Sequence, residues 1–193
     1  MTPEQLLSIL NVAARLKTSP RHCWTLPDRR ESVADHSWRL ALTAMLLSGE
    51  AEFAACDMNR VVRMCLIHDL GEAFTGDIPT FVKTKGDGAK EDALLADWVA
   101  GFPEPQRGEW QALLEEMDAL QTPEAKLYKS LDRLEALIAH NESDLSTWLP
   151  LEYDLQFTYG KEQMDASPTL ARIRAAVDDW SRRKIDGEGG CTP

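Results

Sequence analysis

The sequence predicts an all-α protein. Apolar residues recur at spacings of three and four along most of the chain, which is the period of an amphipathic helix, whereas alternating strand patterns are nearly absent. Several periodic segments begin with a serine, threonine or aspartate followed by proline or an acidic residue, as helix N-termini do. The length of 193 residues and the hydrophobic content of 44% suit one domain with a sizeable core. We expect that domain to span residues 1–186 and the Gly-rich residues 187–193 to form a disordered tail.

Three helices are predicted in the first part of the chain. Thr2, Ser32 and Asp57 are their capping residues, because each precedes the first apolar residues of a periodic segment. The predicted ranges are 3–17, 33–48 and 58–70. Between the first two helices, residues 18–30 combine prolines, arginines and a tryptophan without periodicity, which predicts a loop.

The rest of the chain is also predicted to be mostly helical, with two exceptions. Glycines and a proline interrupt residues 71–88, which favours a functional loop. The residues around Tyr153 alternate in polarity well enough to suit a strand. The remaining predicted helices, two of which open at a Thr-Pro or Ser-Pro pair, cover residues 89–100, 104–120, 122–138 and 168–180.

The charge distribution limits the classes of partner. The 32 acidic residues exceed the 21 Lys and Arg residues, which gives a formal net charge of -11, and no run of basic residues occurs. These features argue against a module that binds nucleic acid polymers or a membrane surface. No segment reaches the length of about 18 apolar residues that a membrane span needs, and the N-terminus lacks a secretory signal pattern.

The cysteines indicate a reducing compartment. The chain has 4 of them at irregular intervals and is too long to need disulfides for stability, which predicts free thiols in a cytoplasmic protein. No Cys-x-x-Cys pair occurs, so a structural zinc knuckle is not expected.

Four polar residues occupy positions where the predicted helices are otherwise apolar. His36 lies in the second helix, and His68 and Asp69 come near the end of the third. Asp132 lies in an apolar stretch of the helix at residues 122–138. Burying such groups costs free energy unless they are hydrogen-bonded, paired with an opposite charge or bound to a metal. Imidazole and carboxylate donors together suit divalent transition metals, so a metal site is one interpretation and a buried hydrogen-bond network is the other.

These segments resemble a known family in their order along the chain and in their amino-acid sequences. The segments LKTSPRHCW, ESVADHSWRLA, LIHDLGEAFTGDIP and TPEAKLYKSLDRLEAL are similar to those of the HD-domain metal-dependent phosphohydrolases, in the 5′-deoxynucleotidase-like branch. The resemblance spans about residues 16–139. It implies an HD-domain helical bundle with a central metal site, whose protein ligands are His36, His68, Asp69 and Asp132.

The resemblance also implies roles for residues around the metal. Glu72 and Asp77 take the catalytic positions, and either one can handle the attacking water or the leaving oxygen. Arg21 takes the position that holds phosphate, where a guanidinium can bind two phosphate oxygens. Trp24 is then a wall against the sugar or base. Lys83 is a further candidate for binding phosphate, and a solvated lysine is the alternative.

The implied activity is removal of phosphate from (deoxy)nucleoside 5′-monophosphates. It requires one divalent metal ion, which the donor set allows to be Co, Mn, Zn, Fe, Ni or Mg. The alternatives are another HD-type phosphohydrolase, such as a phosphodiesterase or triphosphohydrolase, and a non-catalytic helical module with a structural metal. A guanosine-tetraphosphate hydrolase is disfavoured, because Ala73 rather than a second acid follows Glu72. The resemblance further implies a homodimer with a small nucleotide as its partner.

Overall fold

Helices make up most of the structure, which is a computed structural model that describes residues 1–187. The α-helices within those residues are α1 Pro3–Ala13, α2 Val33–Leu47, α3 Met58–Ile67, α4 Glu72–Thr75, α5 Lys85–Ala100, α6 Gln106–Ala119, α7 Pro123–Glu142, α8 Glu152–Thr158, α9 Lys161–Asp165 and α10 Pro168–Ile185. Short 3₁₀ helices occur at Ala14–Lys17, Ala51–Phe53 and Leu145–Thr147. The all-α class is therefore confirmed. The expected tail over 187–193 lies, apart from its first residue, outside the described residues.

A two-stranded hairpin replaces the loop predicted before α2. β1 (Pro20–Leu26) and β2 (Arg29–Ser32) pair antiparallel, so the loop prediction for residues 18–30 was wrong. The register between the two strands shifts twice. Irregular pairing of this kind removes the strict alternation by which strands are recognised in a sequence. The hairpin packs against α7, and its second strand leads directly into α2.

Capping residues fix where α2 and α5 begin. Ser32 Oγ accepts a hydrogen bond from the backbone N–H of Asp35, and the Asp35 carboxylate accepts one from the N–H of Ser32, which confirms the predicted start of α2. Thr84 and Asp87 form the same reciprocal pair, and α5 therefore begins before the predicted residue 89. This cap offsets the cost of about 1 kcal/mol that each glycine in the first turns of α5 imposes on a helix.

A helix also replaces the strand predicted around Tyr153. The buried face of α8 is polar: Glu152 and Gln156, one turn apart, are buried, whereas Leu151 and Tyr153 are 44% and 36% exposed. The strand prediction was wrong because it assumed that the apolar residues of this segment face the core.

α7 is the central helix of the bundle. It contacts α2, α3, α6, α9, α10 and β1. Leu131 and Leu134 of α7 are buried, as are Leu40 of α2 and Met64 of α3. Each of these side chains stabilises the fold by about 1.5–3 kcal/mol relative to an exposed position. The packing brings α2, α3 and α7 together at one point. None of the described helices is long and apolar enough to span a lipid bilayer.

Candidate metal centre

Three helices bring the four predicted metal ligands together. His36 lies in the middle of α2, Asp132 lies on α7, and His68 is the residue at which α3 ends. Because α3 ends before the predicted residue 70, the adjacent His68 and Asp69 lie at a helix end, from which both side chains can reach the same point. These four residues are called the metal cluster below.

The side-chain atoms of the metal cluster lie at the spacing of a coordination shell. His36 Nε2 lies 3.2 Å from His68 Nε2 and 3.2 Å from Asp132 Oδ1. His68 Nε2 lies 3.0 Å from Asp69 Oδ2 and 3.5 Å from Asp132 Oδ1. His36 Nε2 lies 3.8 Å from Asp69 Oδ2. Nitrogen and oxygen atoms bound to one ion at about 2.1 Å are themselves separated by about 3–3.5 Å, so four of these five distances fit a shared metal ion and the fifth is slightly longer.

Hydrogen bonds on the far side of each ring fix the position of the imidazole proton. His36 Nδ1 contacts the Glu135 carboxylate, and His68 Nδ1 donates to the carbonyl oxygen of Cys65 at 2.9 Å. In the neutral tautomers both Nε2 atoms therefore present lone pairs to the shared point, as the two carboxylates do. Acceptors that face one another repel unless a proton or a metal ion lies between them, and a divalent metal fits this set of ligand atoms.

The electrostatics of the metal cluster also favours positive charge. Burial by itself lowers the pKa of His68, but the carboxylates of Asp69 and Asp132 raise it to about 10. Burial raises the pKa of Asp132, yet Lys129 and the two imidazoles together hold it well below its ordinary value. The pKa of Asp69 is lowered against burial in the same way, chiefly by His68. The cluster therefore attracts a proton or a metal ion to the same point.

Buried ion pairs surround the metal cluster. Arg21 Nε donates to Glu31 Oε2 at 3.0 Å, and Arg21 Nη1 lies 3.5 Å from Asp69 Oδ2. Arg39 Nε donates to Glu135 Oε1 at 2.6 Å, and Arg39 Nη2 reaches Glu31 Oε1 at 3.5 Å. Glu31 and Glu135 are almost completely buried, and the two arginines compensate their charges. This network holds both Arg21 and the carboxylate behind His36 in place.

A cavity of about 540 Å³ opens beside the metal cluster. It is lined by Asp69 and Asp132 of the cluster and by four further predicted site residues, Arg21, Glu72, Asp77 and Lys83. Residues 71–88, predicted as a functional loop, form the short helix α4, an irregular segment and the first turn of α5. The irregular segment provides part of the cavity wall.

Glu72 is a buried carboxyl group in this wall. It is 5% exposed, and its Oε2 atom has no hydrogen-bond partner within the part of the chain that the structure describes. Burial and then the nearby charges of Asp69 and Asp77 raise the pKa of Glu72 to about 9. Burial likewise raises the pKa of Asp77. A cavity carboxyl of this kind is suited to giving and taking a proton.

The positions of Lys83 and Trp24 support their predicted roles less well than those of the other site residues. Lys83 lines the cavity, but its ammonium group donates to Glu91 at 2.7 Å. Trp24 is not among the residues that line the cavity, contrary to the expectation that it forms a wall. The Arg30 guanidinium lies over its ring, 5.4 Å from the centroid, and the backbone N–H of Trp24 donates to Ser143 Oγ at 2.8 Å. These two contacts hold Trp24 within the hairpin and against the end of α7.

Four charged residues at the site were not predicted, namely Glu31, Arg39, Lys129 and Glu135. Glu135 contacts His36, and Lys129 Nζ donates to Asp132 Oδ2 at 2.7 Å. The sequence contained a signal for Glu135, because this acid continues the buried apolar stripe of its helix. Glu31 offered no comparable signal, since it lies in a strand that irregular pairing conceals.

The fold and the site define a class of protein. The helical bundle brings imidazole and carboxylate ligand atoms together beside a cavity that contains an arginine and protonatable carboxyl groups. Such a site is suited to metal-dependent hydrolysis of an anionic ester. The chain belongs to the HD-domain family of metal-dependent phosphohydrolases: residues 13–174 match the family model described as HD domain.

Similarity to known proteins places the chain in the 5′-deoxynucleotidase-like branch of this family. It is 31% identical to the 5′-deoxynucleotidase HDDC2 of Homo sapiens over 141 residues, which cover 71% of this chain and 67% of that protein. It is 27% identical to the 5′-deoxynucleotidase hdd1 of Schizosaccharomyces pombe, with 74% and 79% covered. The crystal structure of a predicted metal-dependent phosphohydrolase from Magnetospirillum magnetotacticum MS-1 is similar with a TM-score of 0.77 and 28% identity, and 95% of each chain is covered. The protein is thus a hydrolase of the HD phosphohydrolase family, as its motifs predicted.

Proposed function

We propose that this protein removes phosphate from (deoxy)nucleoside 5′-monophosphates. The observation that carries the proposal is the metal cluster, whose lone pairs converge beside a cavity that also presents Arg21 and Glu72. The curated relatives are named as 5′-deoxynucleotidases, which supports the same substrate class. The cavity volume of about 540 Å³ is in the range of small-molecule sites.

One divalent metal ion is held, in this proposal, by His36, His68, Asp69 and Asp132. When bound, such an ion neutralises phosphate charge and makes hydroxide available near neutral pH. Co, Mn, Zn, Fe, Ni and Mg are all compatible with the mixed donor set, so metal availability decides among them. The Nδ1 hydrogen bonds of the two histidines keep their Nε2 lone pairs directed at the ion.

Arg21 binds the phosphate group. Its side chain is only 14% exposed and lies between Glu31 and Asp69, so its position is fixed before the substrate arrives. The planar guanidinium can bind two phosphate oxygens and offsets the repulsion between the substrate and the cavity acids. Lys83 adds positive charge to the same cavity, although its ammonium group pairs with Glu91.

Glu72 donates a proton to the leaving 5′ oxygen as the phosphorus–oxygen bond breaks. An alkoxide is a poor leaving group, and a carboxylic acid within reach removes that obstacle. Oε2 of Glu72, which has no hydrogen-bond partner among residues 1–187, is the atom that we assign to carry this proton. Asp77, on the same cavity, orients the attacking water.

The substrate class is tested by measuring phosphate release from deoxyribo- and ribonucleoside 5′-monophosphates with Co, Mn, Mg and Zn in turn. We expect release with at least one metal and inhibition by a chelator. A metal-replete protein that releases no phosphate from any of these nucleotides would refute the proposal.

The catalytic roles are tested with Glu72→Gln and Asp77→Asn. Each should lower kcat by about 100-fold or more, which is the usual contribution of a positioned acid or base, while the metal content stays unchanged. Glu115→Gln, at an exposed position of α6, is the matched control. Undiminished turnover in the Glu72 variant would remove it from the mechanism.

We also propose a homodimer formed through α2. A stripe of large apolar side chains is exposed on this helix, and its members are Trp38, Leu42, Met45 and Leu46. Their helical spacing places them on one face, and a two-fold axis would pack that face against its own copy. Sedimentation equilibrium should show a dimer that Leu46→Glu converts to a monomer. A monomeric native protein at micromolar concentration contradicts this assembly.

The cellular location and the domain boundaries complete the proposal. We place the protein in the reducing cytoplasm, a location compatible with the free thiols of Cys23, Cys56 and Cys65. Residues 1–186 form one domain, because the ligands come from α2, α3 and α7 while the cavity wall extends to α8. A single calorimetric transition on heating would support this boundary.

A further inference from the structure

The cavity has a second polar end, distant from the metal cluster. His140 lies about 12 Å from Asp132 along α7, given the rise of an α-helix. His22 from β1 and Glu152 from α8 line the cavity with His140. These three residues are called the distal end, and the mechanism proposed above does not use them.

Glu152 is the central acceptor of the distal end. It is 5% exposed, and its Oε2 accepts a hydrogen bond from the N–H of Leu149 at 2.6 Å. His22 Nε2 lies 3.0 Å from Glu152 Oε1. Each carboxylate oxygen can accept two hydrogen bonds, so these contacts leave acceptor capacity on Glu152.

His140 presents a second, unsatisfied acceptor. Gln156 Nε2 donates to Leu137 O and to Ser181 Oγ, both at 3.0 Å, which fixes the orientation of the amide. Gln156 Oε1 therefore faces His140 Nδ1 at 3.0 Å and receives its proton. His140 Nε2 is buried without a hydrogen bond in the described structure and lies 3.4 Å from Glu152 Oε2. Burial lowers the pKa of His140, which favours the neutral ring. With Nδ1 donating to Gln156, the lone pair of the neutral ring lies on Nε2.

Apolar and aromatic side chains also line the cavity. Phe81, Leu155 and Tyr159 are among them, and the ring of Phe81 meets His22 of the distal end edge to face at 5.6 Å between centroids. Such walls suit the faces of a flat heterocycle, while the two adjacent acceptors suit a polar edge that carries donors.

We propose that the distal end binds the nucleobase and selects guanine. This inference rests on the proposed nucleotidase function. With the phosphate at the metal cluster, the base edge farthest from the sugar reaches the acceptors of Glu152 and His140. Guanine presents two adjacent donors on that edge, N1–H and the 2-amino group. Adenine and cytosine place a donor beside an acceptor on this edge, and thymine has one N–H between two carbonyls. Each of these bases would therefore place one of its own acceptors against Glu152 or His140.

The proposal is tested by comparing kcat/KM for dGMP, dIMP, dAMP, dCMP and dTMP. dGMP should give the highest value, and dIMP, which lacks only the 2-amino group, should fall about tenfold below it. Phosphate release without a preference for dGMP over dIMP and dTMP overturns the guanine proposal and leaves the nucleotidase function intact. No release from any of the five overturns both.

The variant Glu152→Gln tests the acceptor directly. It should lower kcat/KM for dGMP by about 10- to 100-fold relative to dTMP, because an amide places a donor against the guanine donors. Asp154→Asn, an exposed acid on the same helix, should keep the native ratio. An equal loss on both substrates in a folded variant would show that Glu152 is only structural. The comparison of substrates on the native protein needs no variant and remains decisive if Glu152→Gln does not fold.

Discussion

The metal cluster and a second buried polar group near the end of α7 differ in how completely their hydrogen bonds are made. The second group, called the polar network, consists of Asn141, Gln156, Arg174 and Ser181. Ser181 Oγ accepts from Gln156 at 3.0 Å and lies 2.9 Å from Asn141 Oδ1. The Arg174 guanidinium donates to Asp178 Oδ1 at 2.6 Å and to two backbone carbonyls.

The polar network therefore has a donor for each acceptor, whereas the metal cluster directs only acceptors at one point. Both groups lie in the helical bundle. All four residues of the polar network are buried, whereas in the metal cluster His36 is buried and the other three residues are partly buried. A buried polar group that satisfies itself stabilises the fold and needs no ligand. A group whose lone pairs all converge stays unfavourable until a cation arrives. The hydrogen-bond balance, and not burial alone, thus distinguishes a structural group from a binding site.

The largest expected effect is the loss of activity on removing a metal ligand. His68→Ala should lose the divalent ion and reduce phosphate release to background, while the helical content stays native. Metal content by mass spectrometry, phosphate release and circular dichroism measure the three quantities. Asp97→Ala, an exposed acid on α5, serves as the control. A His68→Ala protein that keeps a stoichiometric ion would contradict the assignment of the metal cluster.

Loss of a side chain from the polar network should lower the stability of the fold and leave metal binding unchanged. Arg174→Leu leaves Asp178 and two carbonyls without their donor, so the free energy of unfolding should fall by about 3–5 kcal/mol. Chemical denaturation measures this change. Arg172→Leu, on the same helix with its side chain 73% exposed, should change stability little. If the folded fraction of Arg174→Leu loses its metal, the two groups are coupled and the comparison fails.

A smaller effect is expected where the metal cluster meets its supporting residues. Glu135→Gln removes the negative charge next to His36 Nδ1. The imidazole tautomer with its proton on Nδ1 is then less strongly favoured, so metal affinity should fall about 10- to 100-fold. Competition with a chelating dye measures the affinity. Unchanged affinity would mean that the ring is oriented by packing alone.

The smallest effect is expected from one hydroxyl of the polar network. Ser181→Ala leaves the Gln156 amide and Asn141 Oδ1 each without one partner, which should cost about 1–2 kcal/mol of unfolding free energy. Ser8→Ala, at an exposed position of α1, is its control in the same denaturation experiment. Metal content should not change. A loss of metal without a loss of stability would reverse the distinction between the two groups.

Local signals made much of the fold predictable. Capping residues such as Ser32 and Thr122 mark helix starts because a side-chain oxygen and a backbone N–H a few residues away interact within one turn. The same locality explains the two errors. The pairing of β1 with β2 has an irregular register, and α8 buries Glu152 and Gln156 against partners far along the chain.

The candidate site was predictable only in part for the same reason. The sequence alone shows four polar residues in otherwise apolar segments, namely His36, His68, Asp69 and Asp132. Glu31 and the residues of the distal end have no such signal. Their significance depends on neighbours from other elements, as when His140 meets Glu152 beside the cavity.

The sequence by itself determined most of the helices, the family and the identity of the four polar residues that an apolar helix face cannot hold without compensation. Only the tertiary structure decided what compensates each one. Asp132 and Asn141 lie on the same helix, yet Asp132 faces two imidazole nitrogens and Asn141 faces a hydroxyl. Hydrogen bonds and ion coordination depend on the positions of atoms that the chain brings together from different helices, and a one-dimensional pattern does not contain those positions.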